Sequence, residues 1–122
     1  MKNTSDSIPK AFLDTNILLD YILFRDDESL ASEYIFDSSL DLKVELYIAA
    51  HSLTNLFYAL RKDFPVAERR QVVMLLCSIC NVVAISSDNI TKAVHSDFTT
   101  DLEDALQIRC AIESNCDYFS PA

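Results

Sequence analysis

The chain has 122 residues, half of them apolar, which is enough for one hydrophobic core and too few for two ordinary domains. Its formal charge is -9, from 19 acids against 10 bases, so a broad basic surface for nucleic-acid phosphates is excluded and any contact with a polyanion must be local or metal-mediated. No apolar run approaches the roughly 20 residues of a membrane span, and Met1 to Pro9 is a polar extension with no leader-like stretch, so a cytoplasmic protein is expected.

The domain is expected over residues 10–122, after the 1–9 extension. Lys10 to Leu13 (KAFL) is a short apolar run, and Asn16 to Leu23 has apolar residues at helical spacing. A strand therefore feeds directly into a helix, with Asp14 at the strand's C-terminal end. Glu28 to Phe36 reads as a second helix. Val44 to Ala49 (VELYIA) alternates like a strand and runs into a helix from Ala50 to Lys62. Pro65 suits the first turn of a further helix reaching about Ser78, and Asn81 to Ile85 is a short β-branched strand stopped by Ser86-Ser87-Asp88.

Thr100 is the expected N-cap of the next helix, because Glu103 stands three residues on as the reciprocal partner of a capping box. The chain has no glycine, and Asn115 takes that role at the helix end. Asp117 to Phe119 looks like the start of a fourth strand. Strands alternating with helices predict an α/β fold, a three-layer α/β/α sandwich with a central, mainly parallel sheet.

Cys77 and Cys80 form Cys-Ser-Ile-Cys at the end of an apolar helix, not after a strand as in a redox motif, and Cys77, Cys80 and Cys110 are expected to be buried and unbonded. His51 and His95 have no metal-ligand partner at zinc spacing. Phe57 is expected in the core, and Tyr58 toward a partner or solvent. Arg61, Lys62, Arg69 and Arg70 fall within ten residues and suggest a basic flank.

In open α/β sheets, ligands bind beyond the carboxyl ends of the strands, so groups at strand-to-helix junctions meet in one crevice. Asp14 lies at the first junction, and Asp101 and Asp104 are three apart in the first turn of a helix. Clustered carboxylates repel one another unless a cation lies between them, and oxygen donors without His or Cys suit Mg²⁺ or Mn²⁺. Metal-assisted phosphodiester hydrolysis is the chemistry this favours. The same acids would also serve simply as helix caps.

FLDTNILLDYIL (Phe12 to Leu23) resembles the opening strand and helix of PIN domains, in which an apolar strand is followed by Asp-Thr-Asn and an amphipathic helix. IAAHSLTNLFYALRK (Ile48 to Lys62) resembles the second motif of that family, where a small hydroxyl residue and a Glu stand at the places of Ala49 and Asn55. DLEDALQIRCAIESNCDYF (Asp101 to Phe119) resembles the third, with Asp104 at the family's acid. The resemblance implies an Mg²⁺- or Mn²⁺-dependent endoribonuclease like the toxins of toxin-antitoxin pairs, with an RNA substrate, an antitoxin partner and a homodimer as further expectations. It implies that Asp14 and Asp104 hold the metal, Asp101 adds charge or orients water, Asn55 positions water in place of Glu, and Asn16 orients Asp14. Family members end the last strand in a Thr-Arg-Asn or Thr-Arg-Asp motif, where this chain reads Ser120-Pro121-Ala122. With Asn55, that departure leads to the expectation of slow cleavage, stronger with Mn²⁺, and keeps an RNA-binding or interaction module without catalysis as the alternative. A receiver domain would need an acid pair after the first strand, and a haloacid-dehalogenase-type phosphatase an Asp where Asn16 stands.

Overall fold

The computed structural model describes residues 8–23, 44–97 and 99–120. Four parallel strands form one sheet in the order β3-β2-β1-β4: β1 (Lys10–Leu13), β2 (Glu45–Ala49), β3 (Asn81–Val83) and β4 (Tyr118–Ser120). Phe12 is in register with Tyr47 on one side and Phe119 on the other. As an inner strand, β1 buries both faces, so Ala11, Phe12 and Leu13 are all buried. The apolar run without alternation is the sequence mark of that position.

Helices α1 (Thr15–Leu23), α2 (Ala50–Ala59) and α3 (Val66–Ile79) share one face of the sheet. There Leu18, Leu19, Leu56 and Leu76 pack with Ala11, Leu13, Leu46 and Ile48. On the other face, Cys110 and Ala111 of α5 (Leu102–Glu113) pack against Phe12 and Ala49. The α/β sandwich expected from the strand and helix alternation is present among the described residues, and its sheet is wholly parallel. The chain adds β2 and β3 to one side of β1, then returns to add β4 on the other. The strand order therefore reverses at β1, and a crevice opens beyond its carboxyl end at such a switch point.

Strand β4 is pinned at its start. Lys10 N donates to Asp117 Oδ2 at 2.8 Å, and Asp117 N donates to Lys10 O at 2.8 Å. Just before it, Asn115 takes φ 56°, the left-handed turn expected to end α5 in the absence of glycine.

The structure corrects four expectations. Asp101, not Thr100, caps α5, its Oδ1 accepting from Glu103 N at 2.8 Å and Asp104 N at 3.3 Å. A carboxylate accepts both orphan amides and favours the positive helix end, which a hydroxyl does less well. Ser86-Ser87-Asp88 does not merely stop β3 but opens a helix, α4 (Ser87–Val94), through a capping box between Ser86 and Asn89. Phe57 is half-buried, its ring 4.4 Å beneath the Arg69 guanidinium. Cys77 is exposed, on a helix whose outward side also carries Met74 and Leu75. The helix expected from Glu28 to Phe36 lies outside the described residues.

Cys80 and Cys110 are buried, and no cysteine is bonded. Burial, with Cys77 nearby, pushes the Cys80 thiol up to about 12, and the thiolate is the reactive form. Native protein treated with a maleimide should take up label at Cys77 within minutes, while Cys80 reacts only on unfolding. Peptide mapping showing Cys80 labelled as fast as Cys77 would contradict this placement.

Candidate active site

At the carboxyl end of β1, Asp14 O accepts from Ile17 N at 3.1 Å and Leu18 N at 3.4 Å, so the strand turns into α1 at that residue. The residue is 7% exposed. Gln107 Nε2 donates to Asp14 Oδ1 at 2.6 Å from the middle of α5, with Gln107 wholly buried. Beside it, Thr15 Oγ1 donates to Ser52 Oγ at 3.0 Å inside the protein, joining the first turns of α1 and α2. Three helix N-termini thus converge on one cleft, which is what the switch point between β2 and β4 provides.

The cleft holds about 700 Å³ and is lined by Asp14, Asn16, Asn55, Asp101 and Asp104, together with His51, Tyr58 and Glu103. All five polar residues singled out from the sequence therefore border one space. Asn16 is exposed at its rim, while the side chain that holds Asp14 Oδ1 is Gln107. Asn55 Nδ2 donates to Glu103 Oε2, and His51 Nε2 stands 3.9 Å from that oxygen. Neither His51 ring nitrogen has a hydrogen-bond partner among the described residues. Sequence reasoning missed Gln107, Glu103 and His51 as site groups. Gln107 lies three residues beyond Asp104 on the same helix face, and His51 lies four before Asn55. Those spacings were the available signals.

The electrostatics are those of crowded carboxylates. Burial raises the Asp104 carboxyl, and the charges of Asp101 and Asp14 raise it further. Burial likewise raises Glu103, the Asn55 amide opposes that by holding the charged form, and Asp14, Asp101 and Asp104 add to the rise. Desolvation lowers His51 against the pull of Asp14, so a neutral imidazole is favoured at pH 7.

Among the described residues, no three His, Cys, Asp or Glu side chains stand close enough to hold a metal ion between them. Mg²⁺ keeps several waters and commonly takes only one or two protein carboxylates. Asp14 and Asp104 both border the cleft, and their oxygen donors would suit a hydrated hard cation. Asp101 Oδ1 is engaged in the α5 cap.

A PIN domain family model matches residues 10–119. No curated protein sequence matches significantly. Among solved structures, the fold is similar to Mycobacterium tuberculosis VapC20, a sarcin-ricin loop cleaving toxin, with TM-score 0.70 and 12% identity over 89% of this chain and 86% of that one. It is similar to a toxin-antitoxin complex from Klebsiella pneumoniae, with TM-score 0.66 and 20% identity over 92% and 86% of the two chains. It is also similar to Rickettsia felis VapBC2 bound to a promoter DNA fragment, with TM-score 0.60 and 16% identity over 93% and 88%.

Proposed function

The chain belongs to the PIN domain family, and on that premise we propose that it is a metal-dependent endoribonuclease and the toxin of a toxin-antitoxin pair. The observation that carries the reading is the gathering of Asp14, Asp101, Glu103 and Asp104 around one cleft at the carboxyl edge of the sheet. Mg²⁺ or Mn²⁺ held by Asp14 and Asp104 would supply the positive charge and water activation that phosphodiester hydrolysis needs. Gln107 fixes the Asp14 carboxylate by its amide hydrogen bond. Asp101 holds the first turn of α5, and so keeps Asp104 at the cleft.

Asn55 occupies the place of the usual family acid, yet it grips the carboxylate of Glu103. Glu103 thereby returns a negative charge to that side of the cleft. Burial and three neighbouring acids raise its carboxyl, and the Asn55 amide opposes that rise by holding the charged form. An acidic cleft of this kind would also receive a basic side chain of an antitoxin. One of the similar structures is a toxin-antitoxin complex.

The test is cleavage of a mixed RNA substrate by purified protein, with Mn²⁺ expected to support more cutting than Mg²⁺ and EDTA to stop it. The Asn55→Glu variant sharpens it. The new carboxylate would face Glu103, so this variant should lose thermal stability without metal and regain it with Mn²⁺. An unchanged melting temperature under both conditions would remove Glu103 from the proposed site. A second reading, a PIN fold that binds RNA or a partner without cutting it, is favoured by the lack of any close three-ligand group among the described residues. Absence of cleavage under every metal would select it.

A further inference from the structure

The acids leave one wall of the cleft unexplained. Tyr58 lines it and is 64% exposed. Arg61, three residues on, sets its guanidinium carbon 3.9 Å from the Tyr58 ring centroid, and its Nη1 donates to Tyr58 O at 3.0 Å. Arg69, by contrast, donates from Nε to Phe64 O and from Nη1 to Phe57 O, both at 3.1 Å, and lies over the Phe57 ring. Of the basic cluster, Arg69 is thus spent on joining α3 to α2. Arg61 has no carboxylate in ion-pair range among the described residues.

We infer that Tyr58 and Arg61 form a subsite for single-stranded RNA, a base stacking on the Tyr58–Arg61 pair and an adjacent backbone phosphate meeting the guanidinium. The inference rests on the nuclease reading of the cleft and names how substrate is held there. A chain of charge -9 with a cleft full of carboxylates repels a polyanion, so substrate needs a local cationic anchor beside the acids. An exposed ring crossed by a guanidinium supplies that anchor together with a stacking surface for any base. Bases in a duplex are stacked on each other and unavailable to such a ring, so the subsite selects unpaired segments. Because stacking reads no base edge, it confers little sequence preference.

Binding is measured in EDTA, where no cleavage occurs, by fluorescence anisotropy of a labelled mixed-sequence single-stranded RNA. The measurement is repeated with Asp14→Asn protein in Mg²⁺, where repulsion is lower. Tyr58→Ala and Arg61→Ala are expected to weaken binding roughly tenfold or more, and Tyr58→Phe to keep it within about twofold. Arg70→Ala, a change at an exposed residue of α3, is expected to have less effect than Arg61→Ala, and a duplex to bind less tightly than the single strand. Circular dichroism checks that each variant is folded. Equal affinity of Tyr58→Ala and wild type, or no RNA binding by wild type and Asp14→Asn alike, overturns the inference and leaves the pair to a protein partner. Loss of Tyr58-dependent binding in a protein that nonetheless cuts RNA would sink the subsite and spare the nuclease. Tyr58-dependent binding without cutting would do the reverse.

Discussion

Asp14→Asn is expected to abolish metal-dependent RNA cleavage, with a fall of roughly a hundredfold to a thousandfold or more in kcat, the scale on which removing one preorganised charge-stabilising group acts. The expectation follows from place as much as from charge. Asp14 is a buried acid at the carboxyl end of β1, and Gln107 holds its Oδ1. The loss would not come from unfolding. An Asn carbonyl would still accept the Gln107 hydrogen bond, and neutralising the residue removes repulsion felt by Asp104 and Glu103. Melting curves and cleavage assays on the same sample separate these effects. Wild type should melt higher with Mn²⁺ by mass action, and the variant should not. A variant that cuts at the wild-type rate would remove Asp14 from the chemistry.

The central strand was legible because burial on both faces demands an unbroken apolar run, and KAFL ending at an acid has few other readings. The end of α5 was equally legible, since a chain without glycine must find its left-handed residue among Asn and Asp. Strand order was not. Nothing in the strands' own residues says that β4 returns to the far side of β1 after α4 and α5, two helices joined by Asn89 Nδ2 donating to Glu113 Oε1 at 2.6 Å. The α4 helix itself was hidden by its cap. Ser-Ser-Asp is turn chemistry as well as cap chemistry, and only the pairing of Ser86 with Asn89 distinguishes them.

The acids of the site could be read from junctions and spacing, but their partners could not. Glu103 satisfies the pattern of a capping box, and in the fold its side chain is drawn to Asn55, 48 residues earlier, instead of back to the cap. Cys77 shows the limit of periodicity. Helix α3 carries Met74, Leu75 and Cys77 on its outward side while Leu76 is its fully buried residue, so apolar spacing alone does not tell which face turns inward. Gln107 was marked only by its place three residues beyond Asp104. A glutamine in a helix of mixed polarity gains meaning only once the fold sets it against an acid 93 residues away.

That contact carries the second large effect. Gln107→Glu would place a carboxylate at a wholly buried position against Asp14, turning a hydrogen bond into two facing acceptors. An uncompensated buried charge costs about 3–5 kcal/mol, which for a domain of this size is roughly 10–20 °C in Tm. Burial and the Asp14 charge would both raise the new carboxyl above its unfolded value. Between those two values the folded state binds more protons than the unfolded one, so the lost stability returns as pH falls through the raised value and is missing above it. Gln107→Leu separates charge from packing. It removes the donor to Asp14 without adding a charge, so it should cost about 1–3 kcal/mol and lack the recovery at low pH. Mn²⁺ should rescue Gln107→Glu more than Gln107→Leu, because only the former offers a second carboxylate to a cation on Asp14. Thermal melts of the three proteins at pH 5 and pH 7.5, with and without Mn²⁺, decide it. If Gln107→Glu melts within about 2 °C of wild type at pH 7.5, Gln107 does not hold the acid in solution as it does in the fold.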